Sequence, residues 1–589
     1  MKKKALGLIF TSLGLLTLAS CGLGNVLSIK STSSNNNEYV AEDVDMTEVN
    51  DAEDNYTNIN SSFFIETEDG NYSTTNNIYT ITSKGTYRLR GLLDNGQIVV
   101  DASDSDDIVI ELNEAKITCD NSSPILILNA SNVTIKALED TYNEIIDNRS
   151  TTQVYDSSSG SAAISSECDL KISGSGSLVV NGNYNNGIDS SDDLKIKNIT
   201  LKVNSYDNSL KGNDSVTIES GNIIAISKTG DTIKTKSSDI SSSNNQKGTV
   251  SIEGGNVLLY AADNGIDSSY DVTLKEADEL TETSLQIFTS NYSKYTTTAG
   301  SSASGIKSEN IVTVDGGVIS ITAKTDGIHA NRGTTLENGS SGIGNVIING
   351  GKTYIQAGDD GIHSDYITTI NDGYINVMTS SEGIEGSQIV FNGGTSKVYA
   401  TDDGVNASGN YLSGLVTVTG GYLDVTVSTG DTDGVDSNGS YKQTGGTVVA
   451  RNPNSNGGSN MAAIDCDSSI TVSGGTLISV GSVSNTPSGS NLVTFGSSQS
   501  SGWNGFMQIA GDASNRPGSS SSSSYTFASG TYSIMDSSGN LIASFELESS
   551  YTGMWIASSN FKINESYSLS NGTSTYSWTQ TSQKVTYQA

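Results

Sequence analysis

The sequence has 589 residues, of which only 34% are hydrophobic and 16% are charged, and its formal net charge is −34. Such a charge repels phosphate backbones, so the composition excludes nucleic acid as the expected partner. Glycine is abundant (63 residues) and proline scarce (4 residues). Together with many Ser, Thr, Asn and Asp residues, this composition disfavours long helices and favours short strands joined by tight turns.

The first 20 residues predict a lipoprotein signal peptide. Met1 to Lys4 is positively charged, and Ala5 to Leu18 is apolar but short for a membrane span. Leu18-Ala19-Ser20-Cys21 follows and resembles a lipobox, in which Cys21 would carry the lipid; an ordinary signal peptide with a chance cysteine is the alternative. Because no other stretch is apolar enough to cross a bilayer, we expect a lipid anchor at the cell membrane and exposure on the extracellular surface.

Three further segments flank the centre of the chain. Residues 21–71 are acidic and aperiodic, which predicts a flexible tether. Residues 72–160 contain short β-type runs and predict an N-terminal β cap region, and residues 486–589, which hold all three Trp residues, predict a C-terminal one. Cys119, Cys168 and Cys466 are odd in number, so we expect core residues with at most one disulfide.

Between residues 161 and 485 a tripeptide of glycine, then isoleucine or valine, then a polar residue recurs with a base spacing of about 22 residues. The copies that keep the glycine are Gly187-Ile188-Asp189, Gly265-Ile266-Asp267, Gly305-Ile306-Lys307, Gly327-Ile328-His329, Gly361-Ile362-His363, Gly383-Ile384-Glu385, Gly404-Val405-Asn406 and Gly434-Val435-Asp436. Degenerate copies occur at Ile164, Leu210-Lys211, Ile233-Lys234 and Ile464-Asp465. Longer spacings carry polar insertions, such as residues 331–345.

A second pattern keeps phase with the first. Gly-Gly pairs such as Gly316-Gly317 separate strand-like runs, and Ile319 and Ile321 alternate with polar neighbours. Alternation with period two gives strands that bury one face. Three such strands in a repeat of about 22 residues match one coil of a parallel β-helix, so we predict an all-β parallel β-helix of about 12 coils. A leucine-rich repeat has a similar length, but it needs leucines at fixed places and an asparagine ladder, and the sequence pattern shows neither.

Equivalent residues of successive coils should form columns. The position after the apolar residue gives Asp189, Lys211, Lys234, Asp267, Lys307, His329, His363, Glu385, Asn406, Asp436 and Asp465. The position before the glycine gives Asn186, Asn208, Asp231, Asn264, Ser304, Asp326, Asp360, Glu382, Asp403 and Asp433. From 189 to 307 the charges are of mixed sign, with Asp189 next to Lys211 and Lys234 next to Asp267, which favours a ladder of salt bridges that stabilise by under about 1 kcal/mol each.

The later part of these columns is acidic and predicts a metal site. Carboxylates stacked about 5 Å apart carry like charges and repel one another by about 1–3 kcal/mol unless a cation compensates. Calcium suits flexible sets of carboxylate and amide oxygens. The predicted ligands are Asp326, Asp359, Asp360, Glu382, Glu385, Asp402, Asp403, Asn406 and Asp433. The alternative is turn chemistry, because Asp and Asn are favoured before glycine in tight turns.

Four residues are candidates for carbohydrate contact. His329 and His363 are the only histidines and occupy one column in adjacent coils. Two roles are open for these histidines: binding a metal or an acidic sugar, or forming hydrogen bonds to each other and to Glu385. Tyr354 and Tyr399 belong to the same coils, and tyrosine rings stack on pyranose faces; ordinary exposed strand tyrosines are the alternative.

The order Asp360-Gly361-Ile362-His363, Glu382-Gly383-Ile384-Glu385, Asp402-Asp403-Gly404-Val405-Asn406 resembles a known family. Its members are bacterial surface proteins that carry a calcium-binding, carbohydrate-binding β-helix domain. The segments Gly85-Thr86-Tyr87-Arg88-Leu89 and Asp94-Asn95-Gly96-Gln97-Ile98 are similar to its N-terminal part. The resemblance implies a right-handed helix, bound calcium, and affinity for plant cell-wall polymers, including acidic pectin-type glycans. Longer insertions and degenerate early coils depart from the family pattern.

Non-catalytic carbohydrate binding is therefore the first expectation, with a polysaccharide ligand, no nucleic acid and a monomeric state. The fold also resembles calcium-dependent pectate lyases, which use a basic side chain to remove the proton next to a uronate carboxyl. If the protein is such a lyase, Lys211, Lys234 and Lys307 are the candidate bases. An adhesin or structural surface stalk is the third alternative.

Overall fold

The computed structural model of the chain describes residues 62–154, 156–275, 283–430, 432–453, 461–496 and 525–587. All structural statements below concern these residues. The predicted signal peptide, the predicted lipidation site Cys21 and most of the predicted tether lie outside them.

The N-terminal part contains nine strands. They are β1 (Phe64–Glu66), β2 (Tyr72–Thr75), β3 (Ile78–Ile81), β4 (Gly85–Leu93), β5 (Gln97–Asp101), β6 (Asp107–Cys119), β7 (Ile125–Asn129), β8 (Asn132–Ala137) and β9 (Tyr142–Asp147). A short 3-10 helix, Ser157–Ser159, follows them, and the side chain of Asp156 caps it by accepting from the Ser158 N–H.

The first half of the repeat array continues the strands. They are β10 (Ala162–Ser166), β11 (Asp169–Gly174), β12 (Ser177–Gly182), β13 (Asn186–Ser190), β14 (Asp193–Lys197), β15 (Ile199–Ser205), β16 (Leu210–Gly212), β17 (Ser215–Ile218), β18 (Gly221–Ser227), β19 (Ile233–Lys234), β20 (Thr249–Ile252), β21 (Asn256–Ala261), β22 (Ile266–Ser268), β23 (Asp271–Leu274) and β24 (Ser284–Thr289). A second 3-10 helix, Ser290–Tyr292, comes next.

The second half of the array begins at residue 306. Its strands are β25 (Ile306–Ser308), β26 (Ile311–Val314), β27 (Val318–Ala323), β28 (Ile328–Ala330), β29 (Arg332–Thr335), β30 (Ser341–Ile343), β31 (Asn345–Ile348), β32 (Lys352–Ala357), β33 (Ile362–Ile370), β34 (Tyr374–Thr379), β35 (Ile384–Phe391), β36 (Thr395–Ala400), β37 (Val405–Ala407), β38 (Gly414–Val418), β39 (Tyr422–Val427), β40 (Val435–Ser437), β41 (Gly439–Arg451) and β42 (Ser469–Val480).

The C-terminal part is also built of strands. They are β43 (Asn491–Phe495), β44 (Thr526–Phe527), β45 (Gly530–Asp536), β46 (Leu541–Leu547), β47 (Tyr551–Thr552), β48 (Met554–Ser558), β49 (Ser566–Ser570), β50 (Thr575–Thr579) and β51 (Lys584–Thr586). The strands β46, β45, β49 and β50 form an antiparallel sheet over a second hydrophobic core, which contains Phe495, Phe527 and Trp578.

Three columns of parallel strands form the body of the molecule, and each coil adds one strand to each column. The first column runs through β3, β5, β7, β10, β13, β16, β19, β22, β25 and β28, then the start of β33 and β35, then β37 and β40. The second column includes β8, β11, β14, β17, β20, β23, β26, β31 and β38. The third includes β9, β12, β15, β18, β21, β24, β27, β32, β34, β36 and β39. This pairing confirms the predicted all-β parallel β-helix; its handedness and coil number stay predictions.

The period-two pattern explains the core. Along β15 and β39, for example, alternate residues are buried, and the inward residues of all three columns form one continuous hydrophobic cluster from Ile81 to Ala557. Apolar burial of this kind contributes about 25 cal/mol for each Å² removed from water. Cys119, Cys168 and Cys466 are buried and free, as expected for core residues.

Two glycine positions in each coil are fixed by different constraints. The second glycine of the Gly-Gly pairs has a left-handed backbone, as at Gly421 with φ +76°, which an L side chain rarely adopts. The glycine of the tripeptide motif is needed for close approach instead. A Cβ atom at Gly404 would lie 2.1 Å from Cγ1 of Val425 and 2.6 Å from the carbonyl oxygen of Gly434 in the next coil. The two recurring glycine patterns therefore fix the turn and the coil-to-coil spacing, respectively.

The parallel columns begin earlier than residue 161. The strands β4, β6, β8 and β9 already stack in register, so residues 85–160, which the sequence analysis assigns to the cap region, contribute coils. These coils lack the tripeptide because other residues make their turns. The antiparallel strands β1 and β2 lie at the N-terminal end, and the antiparallel strand β48 pairs with β42 at the C-terminal end.

Candidate functional site: a polar column along the first strand stack

The outward side chains of the first strand column form one continuous polar stack. Backbone pairing joins Asp189 to Lys211, His329 to His363, His363 to Glu385, Glu385 to Asn406, and Asn406 to Asp436. A bridge between Val435 and Ile464 continues the stack towards Asp465. Every pairing in the predicted column is therefore present, because the tripeptide fixes one residue per coil at this position.

A second stack lies just before the glycine and is largely structural. In several members the side-chain oxygen accepts a hydrogen bond from the backbone N–H of the next coil: Asn186 from Asn208 (3.1 Å), Asp231 from Asn264 (2.8 Å), Asp326 from Asp360 (3.3 Å) and Asp403 from Asp433 (2.7 Å). Buried N–H groups at the turn are thereby satisfied. The sequence analysis offered turn chemistry as the alternative to metal binding, but it did not predict that these side chains bond to the backbone of the next coil.

In the early coils, lysines compensate the carboxylates. Lys211 Nζ lies 3.0 Å from Asp189, and Lys234 Nζ lies 2.6 Å from Asp231 and 2.8 Å from Asp267. Burial alone would lower the pKa of Lys234, but the two aspartates outweigh it and raise that pKa. The predicted ladder of salt bridges is confirmed for this part of the column.

The histidines lie where the early and late coils meet. Their rings are 4.4 Å apart between centroids. His329 Nδ1 is 2.7 Å from Asp326, and His363 lies between Asp360 (2.5 Å), Glu385 (3.0 Å) and Asp365 (3.2 Å). Burial would lower the pKa of His363, but hydrogen bonds to these carboxylates raise it to about 12, so the ring is a cation at neutral pH.

In the late coils, the polar column and the stack before the glycine are both mainly acidic. Burial, then repulsion from Glu385 and Asp360, raises the pKa of Glu382 to about 8. The Nδ2 of Asn406 donates to Glu382 (3.0 Å), while the buried Oδ1 of Asn406 has no hydrogen-bond partner among the described residues. An amide oxygen left in this state is available to a cation.

Three carboxylates of the last coils also converge. Asp433, Asp436 and Asp465 each place one oxygen within 4.8 Å of the other two. Burial is the main reason that the pKa of Asp433 is raised to about 9 and that of Asp436 to about 7; repulsion from Asp403 and Asp465 adds to both shifts. Within the described ranges, Glu382, Asp433, Asp436 and Asp465 form no ion pair with Lys or Arg.

The predicted ligands thus fall into three groups. Asp326, Asp360 and Glu385 contact histidines, and Asp359 and Asp402 are exposed. Glu382, Asp403, Asn406 and Asp433 lie in the late acidic stack. The sequence analysis placed Asp436 and Asp465 in the column but did not include them among the metal ligands, although they continue the same position of the motif.

The predicted carbohydrate contacts lie on two columns. His329 and His363 lie in the first column, whereas Tyr354 on β32 and Tyr399 on β36 are half-buried in the third. The ring of Tyr354 packs 5.8 Å from that of Tyr374. The structure therefore separates the histidines from the tyrosines by strand column.

The candidate lyase bases Lys211, Lys234 and Lys307 all form ion pairs. Lys307 Nζ lies 3.0 Å from Glu309 and 4.0 Å from Asp267, and these two carboxylates, although burial opposes them, raise its pKa. A general base must be neutral to accept a proton, and a carboxylate neighbour favours the charged form. No observed contact prepares these lysines for proton abstraction.

Comparison with known proteins gives consistent matches. Residues 75–344 and 340–431, more than half of the chain, match the family described as carbohydrate-binding domain-containing protein. A relative of the same description from Acetivibrio thermocellus is 37% identical over 129 residues, which are 21% of this chain and 44% of the relative. The chain therefore matches less than half of that relative's length. The solved structure of a polysaccharide lyase-like protein from C. thermocellum, a gadolinium derivative, is 32% identical and covers 44% of this chain and 94% of its own, with a TM-score of 0.35.

Helices contribute little to the described residues. No helix in the part of the chain that the structure describes is long and apolar enough to cross a membrane.

Proposed function

Since the chain belongs to the carbohydrate-binding domain-containing protein family, we propose that it binds acidic, pectin-type cell-wall polysaccharide in a calcium-dependent and non-catalytic way. Carbohydrate binding follows from the family. The acidic ligand and the calcium dependence are our proposal. They rest on the late acidic stack, which we define as the neighbouring residues of the polar column and of the stack before the glycine: Glu382, Asp403, Asn406, Asp433, Asp436 and Asp465.

The late acidic stack carries the proposal. The carboxyl groups of Glu382, Asp433 and Asp436 have pKa values raised to about 8, 9 and 7, because burial and then repulsion from neighbouring carboxylates disfavour their charges. A hard dication with oxygen ligands relieves this repulsion. Calcium, when bound, supplies positive charge that protein and sugar carboxylates share.

The side chains of this region fit calcium better than a softer metal. Glu382, Asp403 and Asn406 offer hard oxygens in adjacent coils, and Asn406 has the unpartnered amide oxygen. Asp433, Asp436 and Asp465 offer an all-carboxylate group. Calcium prefers six to eight oxygen ligands, whereas transition metals favour imidazole or thiolate. We assign the histidine clusters to ion pairing, since three carboxylates already hold His363.

The proposal also covers location. A signal peptide and lipidation at Cys21 would place the β-helix outside the cell on a membrane anchor, where polymeric glycans are accessible.

The first test measures calcium binding by calorimetry on chelator-treated protein. We expect Glu382→Gln and Asp433→Asn each to weaken calcium binding about tenfold or more, since tenfold corresponds to about 1.4 kcal/mol. Asp372→Asn, an exposed acid on another corner of the helix, is the matched control and should bind like wild type. Unchanged titrations for both site variants would refute the calcium assignment.

Retention on immobilised polygalacturonate tests the function itself. We expect wild type to be retained with calcium and released by a chelator, with no ultraviolet absorbance from unsaturated products. Retention that survives the chelator contradicts calcium dependence. New absorbance contradicts a non-catalytic role and favours the lyase alternative.

A further inference from the structure

One arginine lies stacked on tyrosines beside the histidine pair. Arg332 starts β29, and its guanidinium carbon lies 4.1 Å from the ring centre of Tyr366 and 5.2 Å from that of Tyr411. Tyr411 is 54% exposed. We call these three residues the arginine platform. They come from different coils and meet at the corner between the first and second strand columns.

The charge of Arg332 is not neutralised by the protein. Arg88, Arg90, Arg149 and Arg451 each pair with a carboxylate, whereas Arg332 forms no such pair among the residues that the structure describes. This is unusual in a chain with 65 acidic residues and 31 basic ones. The carboxylate of Asp365 accepts from the backbone N–H of Arg332 (2.6 Å) and from His363 (3.2 Å).

The guanidinium is oriented but not saturated. Its Nη1 donates to the carbonyl oxygen of Ile343 (3.2 Å), and no hydrogen bond within the described ranges uses Nε or Nη2. An arginine edge with two parallel N–H groups matches a carboxylate in a bidentate way. Stacking on Tyr366 holds the plane of the group and leaves that edge to an incoming anion.

The hairpin that carries Arg332 is anchored at several points. β29 and β30 pair in antiparallel fashion, and Thr334 donates to Glu309 (2.5 Å). At the tip, the carboxylate of Glu337 accepts from Ser237 (2.6 Å) and from the Ser238 N–H (3.0 Å), about a hundred residues earlier in the chain. A site that is ordered before its ligand arrives loses less entropy on binding.

From these contacts we infer that the arginine platform binds a carboxylate-bearing pyranose unit, with Arg332 on the carboxylate and the exposed Tyr411 ring on the sugar face. The inference rests on the proposed function and adds a contact that needs no metal. A neutral sugar would use the tyrosine alone, so the platform selects for the uronate over its neutral counterpart.

Calorimetry with trigalacturonate and with its fully methyl-esterified form, at a fixed calcium concentration, tests the inference. We expect Arg332→Met to weaken trigalacturonate binding about tenfold, the value of one charge-assisted hydrogen-bond pair, and to reduce the preference for acid over ester. The affinity of Arg332→Lys for trigalacturonate should fall between that of wild type and that of Arg332→Met, because the ammonium group keeps the charge but lacks the planar edge. Tyr411→Ala should weaken the binding of both trisaccharides.

Arg90→Met, an exposed arginine on β4, is the control, and thermal melts verify that every variant is folded. If Arg332→Met and Arg332→Lys both bind trigalacturonate as wild type does, the platform is not the site, while calcium-dependent retention of wild type still supports the proposed function. If wild type binds neither trisaccharide nor polymer, both proposals fall.

Discussion

The early and late coils place the same motif position in the same column but fill it differently. Between Asp189 and Lys307, lysines and aspartates are mixed, and Lys234 contacts two carboxylates. Between Glu382 and Asp465, acids predominate, and the pKa values of Glu382, Asp433 and Asp436 are raised. The backbone register is common to both regions, so the two regions differ in which side chains balance the carboxylates: lysines do so in the early coils, and we propose that calcium does so in the late ones.

The largest effect should come from breaking the balanced region. Lys234→Met leaves Asp231 and Asp267 without their shared cation, and Asp231 is almost fully buried. We expect a loss of about 2–3 kcal/mol in the free energy of unfolding, because a buried charge-assisted hydrogen bond is removed. Denaturant titration measures it.

Lys195→Met is the matched control for that variant. Lys195 pairs with Glu219 on an exposed face, so its loss should cost under about 1 kcal/mol. Equal losses for both variants would show that burial does not distinguish the column from ordinary surface pairs.

The opposite sign is expected in the late coils. Asp436→Asn removes one of the repelling carboxylates, so without calcium the free energy of unfolding should rise by about 1 kcal/mol at pH 8. The same variant should gain less stability from added calcium than wild type gains, which thermal melts with and without chelator detect. A variant that is destabilised without calcium would contradict the idea of stored repulsion.

The smallest effect is a dependence on pH. The pKa values of Asp436, Glu382 and Asp433 are raised to about 7, 8 and 9. An acid whose pKa is higher in the folded state contributes stability that is lost as the pH rises through that value. The melting temperature of the calcium-free protein should therefore fall by a few degrees between about pH 6 and pH 9.

Saturating calcium should remove this fall, because the dication favours the ionised carboxylates. In calcium-free buffer, Glu382→Gln combined with Asp436→Asn should flatten the slope as well. A melting temperature that rises over this pH range would show that the late acids are stabilised in their charged form without metal.

The sequence predicted the architecture and the column membership because both depend on a short repeating motif. Gly361-Ile362-His363 and Gly383-Ile384-Glu385 place His363 beside Glu385 whenever one coil follows another. The start of the parallel columns before residue 161 was not visible, since the coils from Gly85 onward use turns without the tripeptide.

The division of labour within the column could not be predicted. Whether Asp326 contacts a histidine or a metal depends on side-chain rotamers, which a repeat pattern does not encode. The arginine platform could not be predicted for another reason. Tyr411 is far from Arg332 in sequence, and it contacts Arg332 from an insertion that breaks the period. Insertions interrupt the pattern from which the rest was inferred.

The reversal of strand direction at both ends of the rod has a consequence for assembly. β1 and β2 run antiparallel to the first coil, and β48 runs antiparallel to the last strand of the third column. In a stack of parallel coils with uncovered ends, the unpaired backbone groups of the end strands are templates on which another molecule can pair, and repeated pairing would build a filament. Here the reversed strands occupy those templates, so they oppose such polymerisation at the ends while leaving the long flank of the rod open to glycan chains.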